Sequence, residues 1–346
     1  MFHHENVCYS TREHGLRECG SNEATEMKLS VVVPVFNEES ALPITLARIE
    51  PVLNGTSWDW ELILIDDGSR DKSLPIMIDR AAADERLKII SFSRNFGHQA
   101  AITAGLDFAS GDAVIIMDAD LQDPPELIPQ MLALHESGYD VVSPQRTSRE
   151  GEGFFKRWTA ACFYWLLRKG VDERVPPEVG DFRLLGRNVV DVLRQCREHQ
   201  RFMRGLVAWV GFREAIVPFQ RQPRAAGETK YPLLKMLRFA WTAITSFSAL
   251  PLRLSIVVGM TSSGLAFLYF CWALYAALIL KRTVQGWTSL VALQSLSVGI
   301  ILLSLGLIGE YIANIYEESK QRPLYVVRTL TNLNRGNHFS IHSGIE

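Results

Sequence analysis

Apolar residues follow two rhythms along the chain. In the first half, short runs rich in Val, Ile and Leu cover residues 29–35, 61–65, 87–92, 113–117 and 139–143. Each stops at a polar cluster. Between them, residues 40–53, 73–83, 99–109 and 125–137 carry apolar positions at helical spacing. Uninterrupted apolar strands separated by helices predict an α/β domain with a mostly parallel sheet covered on both faces. In such sheets ligands collect at the carboxyl ends of the strands. The polar clusters fall at those ends: Phe36-Asn37-Glu38, Asp66-Asp67-Gly68-Ser69, Ser93-Arg94-Asn95, Asp118-Ala119-Asp120 and Arg146.

The second rhythm occupies the last third. Residues 254–280 and 283–309 contain no charged side chain. A hydrocarbon core of about 30 Å needs about 20 apolar residues in a helix, so two transmembrane helices are predicted, at 254–280 and 287–312. The short connector makes them a hairpin with both flanks on one side. Lys235, Arg238 and Arg253 precede it and Lys320, Arg322 and Arg328 follow it, against Lys281 and Arg282 in the loop. The positive-inside tendency then places residues 1–250 and the C-terminal tail in the cytoplasm, with the spans in the cytoplasmic (inner) membrane. Residues 233–252 mix Lys235 and Arg238 with Leu, Phe and Trp. They read as an amphipathic segment on the membrane surface, or as a core helix of the preceding domain.

The predicted organisation has five parts. A polar extension covers 1–27, the α/β catalytic domain 28–232, the juxtamembrane segment 233–252, the helical hairpin 253–315 and a cytoplasmic tail 316–346. The extension lacks an apolar stretch and is not a signal peptide. The periodic pattern begins only after Met27, which makes Met27 a candidate start. His3 and His4 read as part of a frayed tail rather than a metal site.

Composition removes other classes. The chain of 346 residues is 47% hydrophobic and 21% charged, which excludes a disordered protein. Its net charge of -2 gives no basic field for nucleic acid. Its five cysteines are scattered and odd in number, which argues against a disulfide framework or a zinc site.

Candidate chemistry sits at the strand ends. Asp118, Asp120 and Gln122 stand at i, i+2 and i+4 and would share a face while the chain stays extended. Three oxygen donors on one edge suit a hard divalent ion, Mg²⁺ or Mn²⁺, completed by substrate phosphates. Asp123 fits the competing role of helix cap before Pro124-Pro125-Glu126. Asp67 can accept hydrogen bonds from a nucleobase or ribose, while Asp66 suits an Asx turn with Gly68. Pro34, Phe36 and Glu38 could wall the same nucleoside. Arg146, Arg157, Arg224 and Lys230 form a cationic set suited to phosphate oxygens. No G-x-G-x-x-G follows the first strand and no G-x-x-x-x-G-K-[ST] occurs, which disfavours dinucleotide oxidoreductases and P-loop NTPases.

The segments PVFNEE, LIDDGSRD, SRNFGHQAAITAGLDFASGD, MDADLQDPPE, GDFRLLGR, RFMRGLVAWVGF and RAAGETKYPLLK, followed by two spans, resemble family 2 glycosyltransferases that act on polyprenyl phosphates. The resemblance covers roughly residues 28 to 330 and is closest to bactoprenyl-phosphate glucosyltransferases, with dolichyl-phosphate mannose synthases more distant. It implies a GT-A fold, a nucleotide-sugar donor (UDP-glucose), a polyprenyl phosphate acceptor, a divalent cation and a homo-oligomer. It also implies roles. Pro34, Phe36, Glu38, Ile65 and Asp67 match nucleoside-binding positions. Asp118, Ala119, Asp120 and Gln122 match the motif that meets metal and diphosphate. Arg146, Arg157, Arg224 and Lys230 match positions that hold donor diphosphate or lipid phosphate. Asp181 and Arg183 fall in the acceptor-side GDFR segment, Asp181 being counted with the catalytic set. The family usually has Ser where this chain has Thr229, and the hydroxyl is kept. GDP-mannose or another UDP-sugar remains open as donor. A processive polysaccharide synthase would carry more spans and Q-x-x-R-W, which QRFMR at 200–204 does not match. A non-catalytic membrane scaffold would not need the intact carboxylate motif.

Overall fold

The computed structural model describes residues 27–120, 122–146, 179–199, 201–219, 250–279 and 286–333. Eight strands form one sheet in the order β7-β5-β6-β4-β1-β2-β3-β8. Its parallel centre is made of β1 (Lys28–Val35), β2 (Asp59–Asp66), β3 (Leu87–Phe92) and β4 (Ala113–Ile116). These are four of the strands expected from the apolar runs. The fifth is β5 (Val141–Arg146), which pairs in parallel with β7 (Glu214–Phe219). Between β4 and β5 runs β6 (Arg183–Gly186), antiparallel to both.

Alternation along the strands explains why both faces are covered. Val31, Val33 and Val35 point to one core and Val32 to the other; Leu62 and Leu64 part from Ile63 and Ile65 in the same way. The first core is closed by α1 (Leu42–Asn54), α2 (Ser73–Ala83) and α4 (Ile128–Glu136) through Leu46, Met77 and Met131. The second is closed by α3 (His98–Phe108), α5 (Arg187–Gln195) and α6 (Met203–Val210) through Ile102, Val190 and Leu206. The axis of α3 comes so near the sheet that a Cβ at Gly105 would collide with Val32.

One buried charge is fully engaged. The Glu61 carboxylate on β2 accepts hydrogen bonds from Ser30 Oγ at 2.5 Å and from the Ser110 N–H and hydroxyl at 2.7 and 2.9 Å. Lys88 and Lys28 complete the shell. Burial alone would raise the Glu61 pKa, but Lys88, Ser30 and Ser110 outweigh it and hold it at about 2 against an ordinary 4.5. The resulting stabilisation is complete above pH 4.5 and is lost as pH falls toward 2. It amounts to about 3 kcal/mol. Glu61→Gln is therefore expected to destabilise the protein at pH 6, with the gap to wild type narrowing by about 2 kcal/mol at pH 3. Thermal midpoints of the detergent-solubilised chain at the two pH values measure this.

Two long helices follow, α7 (Leu250–Leu278) and α8 (Trp287–Ser319). They pack on each other and contain apolar stretches long enough to cross a membrane, Leu254–Ala273 and Leu296–Ser319, with no buried share. The second helix runs past 312, where the sequence pattern ends it. The tail also differs from expectation. Within the expected tail, β8 (Val327–Thr331) returns to the sheet and pairs antiparallel with β3. Tyr325 stacks on Phe92 at 5.1 Å and donates a hydrogen bond to Asp107 Oδ2 at 2.7 Å. The α/β domain is thus completed by chain from beyond the hairpin. The extension 1–26 and most of the juxtamembrane segment lie outside the described residues.

Candidate active site

The loops after β1 and β2 are laced together by the polar residues that end those strands. Asn37, at φ 56°, donates its N–H to Ser69 Oγ at 3.0 Å, and its side-chain oxygen accepts the Arg70 N–H at 2.8 Å. The Glu38 N–H reaches Ser73 Oγ at 2.9 Å. Asp66 accepts the Ser69 N–H at 2.9 Å and the Ser91 hydroxyl at 2.9 Å, the turn-forming role foreseen for it. Gly68 has φ 70° and a Cβ there would sit 2.6 Å from the Arg94 carbonyl carbon. This close approach brings the loop after β3 against the loop after β2. Asp67 fastens the same join: its carboxylate accepts the Phe96 N–H at 2.6 Å and the Gly97 N–H at 3.0 Å. Burial pushes the Asp67 carboxyl up, against those two N–H donors.

Beyond β4 the chain does not stay extended. It turns at Ala119 and Asp120. Asp120 Oδ1 accepts the Gln122 N–H at 3.1 Å, Asp123 Oδ2 accepts the Asp118 N–H at 3.2 Å, and Thr45 on α1 donates to the Ala119 carbonyl at 2.8 Å. Asp123 therefore braces the carboxylate turn, while Pro124 stands at the N-cap of the short 3₁₀ turn Pro125–Leu127. The expected shared face gives way to a tight turn because Asp120 satisfies a local backbone N–H, a common competitor of extended chain for Asp.

Pro34, Phe36, Glu38, Asp67, Asp118, Ala119, Asp120 and Asp181 all line one cavity of about 1050 Å³ at this end of the sheet. Ile65, Gln122 and Arg183 do not. Ile65 is fully buried in the second core. Arg183 is buried on β6 and donates to the Gly180 carbonyl at 2.8 Å. Gln122 is buried with its Oε1 lacking a hydrogen-bond partner. Arg157, Arg224, Lys230 and the Arg146 side chain lie outside the described residues.

The cavity also contains residues the sequence did not single out. His98, the first residue of α3, places Nε2 3.6 Å from Asp118 Oδ1 and 3.4 Å from Asp181 Oδ2. Arg204 on α6 donates from Nε to Asp181 Oδ1 at 2.9 Å, and Gln99 Nε2 reaches Asp181 Oδ2 at 3.3 Å. Burial would raise the Asp181 carboxyl, but Arg204 and His98 hold it far below the usual range. Burial would lower His98, yet Asp181 and Asp118 raise it above an ordinary imidazole. Enclosure and the neighbouring Asp181 and Asp120 push Asp118 up, with His98 opposing. The result is a row of carboxylates and cations in mutual contact, with excess acid at Asp118 and Asp120. Among the described residues no three His, Cys, Asp or Glu side chains converge as a metal-binding group. Asp118 and Asp120 offer two oxygen ligands of a partial shell for a hard cation whose remaining ligands come from substrate and water, whereas the Gln122 oxygen, expected to join them, is enclosed and does not line the cavity.

The lining also includes His199, Arg201, Phe202 and Arg204, and Glu317, Arg322, Pro323 and Leu324 at the end of α8 and just after it. A polar cavity at the strand ends, bounded by the terminus of a membrane-length helix, suits an enzyme joining a polar donor to a membrane-borne partner.

Residues 30–194 match the family described as glycosyl transferase family 2. The chain is 50% identical to the uncharacterized glycosyltransferase YkcC of Bacillus subtilis over 302 residues, 87% of this chain and 94% of that one. It is 40% identical to the bactoprenol glucosyl transferase of Shigella phage SfV over 302 residues, 87% of this chain and 98% of that one. Among solved structures, glucosyl-3-phosphoglycerate synthase from Mycobacterium tuberculosis overlaps 63% of this chain and 78% of its own, with 22% identity and a TM-score of 0.41. The chain is a glycosyltransferase. It belongs to glycosyl transferase family 2.

Proposed function

We propose that the enzyme moves glucose from UDP-glucose to the phosphate of polyprenyl (undecaprenyl) phosphate at the cytoplasmic face of the inner membrane, as part of a homo-oligomer. The observation that carries this reading is the shared cavity: the carboxylate turn at Asp118 and Asp120 and the end of α8 line the same space. Bactoprenol glucosyl transferases among the relatives, at 38–40% identity over nearly their whole length, support the lipid acceptor and the sugar.

The reaction is an in-line displacement at the anomeric carbon. A lipid phosphate oxygen forms the new C–O bond as the bond to the nucleoside diphosphate breaks, and the electron pair leaves with the diphosphate. The acceptor is already anionic near neutral pH, since the second pKa of a phosphomonoester is about 6. No strong base is required of the protein. One displacement inverts the centre, so an α-linked donor yields a β-linked product. Pro34, Phe36, Glu38 and the Asp67-bound loop hold the nucleoside end. His98 and Arg204 hold Asp181 and relieve the repulsion between it and Asp118. Asp118 and Asp120 would hold a divalent cation, Mg²⁺ or Mn²⁺, which would supply charge neutralisation to the leaving diphosphate. Arg146, Arg157, Arg224 and Lys230 remain the proposed phosphate-binding set; Arg183, buried on β6 and outside the cavity, leaves it.

The test is transfer of radiolabel from UDP-glucose into an organic-extractable lipid by the purified chain with undecaprenyl phosphate. Labelled product that is lost on omitting the acceptor supports the reading. Transfer only from GDP-mannose or another UDP-sugar corrects the donor. No transfer from any of them overturns the reading.

A further inference from the structure

The chain beyond the membrane hairpin is fastened to the α/β domain at a buried aspartate that the transfer reaction does not use. Asp107 is 7% exposed and stands in the last turn of α3. A negative charge there opposes the helix dipole, and burial strips its hydration. Partners from two other parts of the chain hold it. Arg197, just after α5, donates to both of its oxygens at 2.8 and 2.9 Å, and the Tyr325 hydroxyl donates to Oδ2 at 2.7 Å. Arg194 caps the carbonyls of Leu106, Asp107 and Ala109 at the same helix end, and it adds positive charge near Asp107, as does Arg201. The arginines thus answer the charge and the helix end. What Tyr325 adds is a link to the chain that follows α8.

Tyr325 stands at a junction. Arg322, Pro323 and Leu324, immediately before it, line the cavity, and Val327 begins β8 just after it. The segment between α8 and β8 is pinned at both ends. On the α8 side the His199 N–H donates to Glu318 Oε1 at 2.7 Å. On the β8 side the Ser93 N–H donates to the Val326 carbonyl at 3.0 Å, and the Tyr325 ring stacks on Phe92. Between the pins Gln321 takes φ 47°, a left-handed backbone that a non-glycine residue keeps only where its surroundings impose it. We infer that Tyr325 is a positioning residue for transfer. Its bond to Asp107 fixes the cavity-lining segment 322–324 on the domain, and so sets the cavity relative to the end of a membrane-length helix. This rests on the function proposed above and adds to it a device that aligns the cavity with an acceptor held in the membrane. The donor side has its own fastenings. Asp67 holds the Phe96 and Gly97 N–H groups, and Asp123 and Thr45 hold the carboxylate turn. None of those bonds involves chain from beyond α8.

The experiment is steady-state kinetics of the full chain in detergent micelles, below the thermal midpoint, with undecaprenyl phosphate and UDP-glucose varied separately, on Tyr325→Phe and Asn332→Gly. Tyr325→Phe deletes one oxygen and keeps the ring that stacks on Phe92. Asn332 fastens the other end of β8, its amide donating to the Ala81 and Leu87 carbonyls at 2.9 Å, and its φ of 57° suits glycine. Asn332→Gly therefore loosens the strand without touching the cavity segment. The kcat/KM for the acceptor is expected to fall at least fivefold in Tyr325→Phe and to stay within twofold in Asn332→Gly. The donor KM and the Kd of UDP should stay within twofold in both. A fall of less than fivefold in Tyr325→Phe overturns the inference. So does an equal fall in Asn332→Gly, which would make the bond a plain stabiliser, and so does a shift in donor KM or UDP Kd as large as the acceptor effect. Those three results leave the proposed function standing, whereas a wild-type chain that glucosylates no polyprenyl phosphate brings down that function and this inference with it.

Discussion

Asp120→Ala is expected to lower turnover by at least about 10²-fold, the size of effect that follows removal of one preorganised electrostatic group in a catalytic site. The residue is half-buried on a turn whose other supports survive the change: Asp123 to the Asp118 N–H and Thr45 to the Ala119 carbonyl. The change forfeits the bond from the Gln122 N–H. Stability should therefore change by about 1 kcal/mol or less, while transfer collapses. Single-turnover rates with saturating UDP-glucose, together with the thermal midpoint, separate the two quantities. Asp120→Asn provides the sharper control. It keeps the oxygen that accepts the Gln122 N–H and removes the charge, so turn geometry persists while the loss in turnover remains. Turnover within threefold of wild type in either variant would remove Asp120 from any cation-holding role.

Why the carboxylate turn could be located from sequence, and its surroundings could not, has a physical basis. Asp118 and Asp120 follow directly on β4, an uninterrupted apolar strand, so position along the chain already fixes position in the sheet. The same is true of Phe36, Glu38 and Asp67 after β1 and β2. His98 opens a helix whose buried residues are all apolar or small except Thr103 and Asp107, and its partners Asp118 and Asp181 are 20 and 83 positions away. Nothing local announces that meeting. Arg204 on the short α6, and Arg201 in the loop just before it, are brought to the cavity by α6 packing on the second core. The strands β6 and β8 escaped the apolar pattern for different reasons. β6 is only four residues long, and β8 carries Arg328 and two threonines at the edge of the sheet. An edge strand gains its stability from one neighbour and needs no continuous apolar run. Ile65 shows the opposite failure. Family position suggested a ligand contact, yet alternation along β2 turns its side chain into the second core.

The largest structural effect should come from separating Asp181 and Arg204. Asp181 is 8% exposed, and its carboxylate is shared by Arg204, Gln99 and His98. Arg204→Gln leaves that carboxylate enclosed with weaker partners, and Asp181→Asn leaves Arg204 and His98 facing each other without the anion between them. Removing one partner of a buried pair costs about 3 kcal/mol or more; Arg204 is 35% exposed, so water recovers part of the loss and about 2 kcal/mol is expected for each single variant. The double variant leaves neither charge stranded. Its destabilisation should fall short of the sum by about 1 to 2 kcal/mol, the range of coupling between residues in direct contact. Activity should not follow stability. Asp181 also sets the His98 ring beside Asp118, and the double variant restores no anion there, so turnover stays low while the fold recovers. Thermal midpoints and kcat measured across the cycle decide the matter. Stability losses that simply add would mean that the Asp181–Arg204 contact carries no energy of its own, and turnover that recovers along with the fold would reduce Asp181 to a packing role.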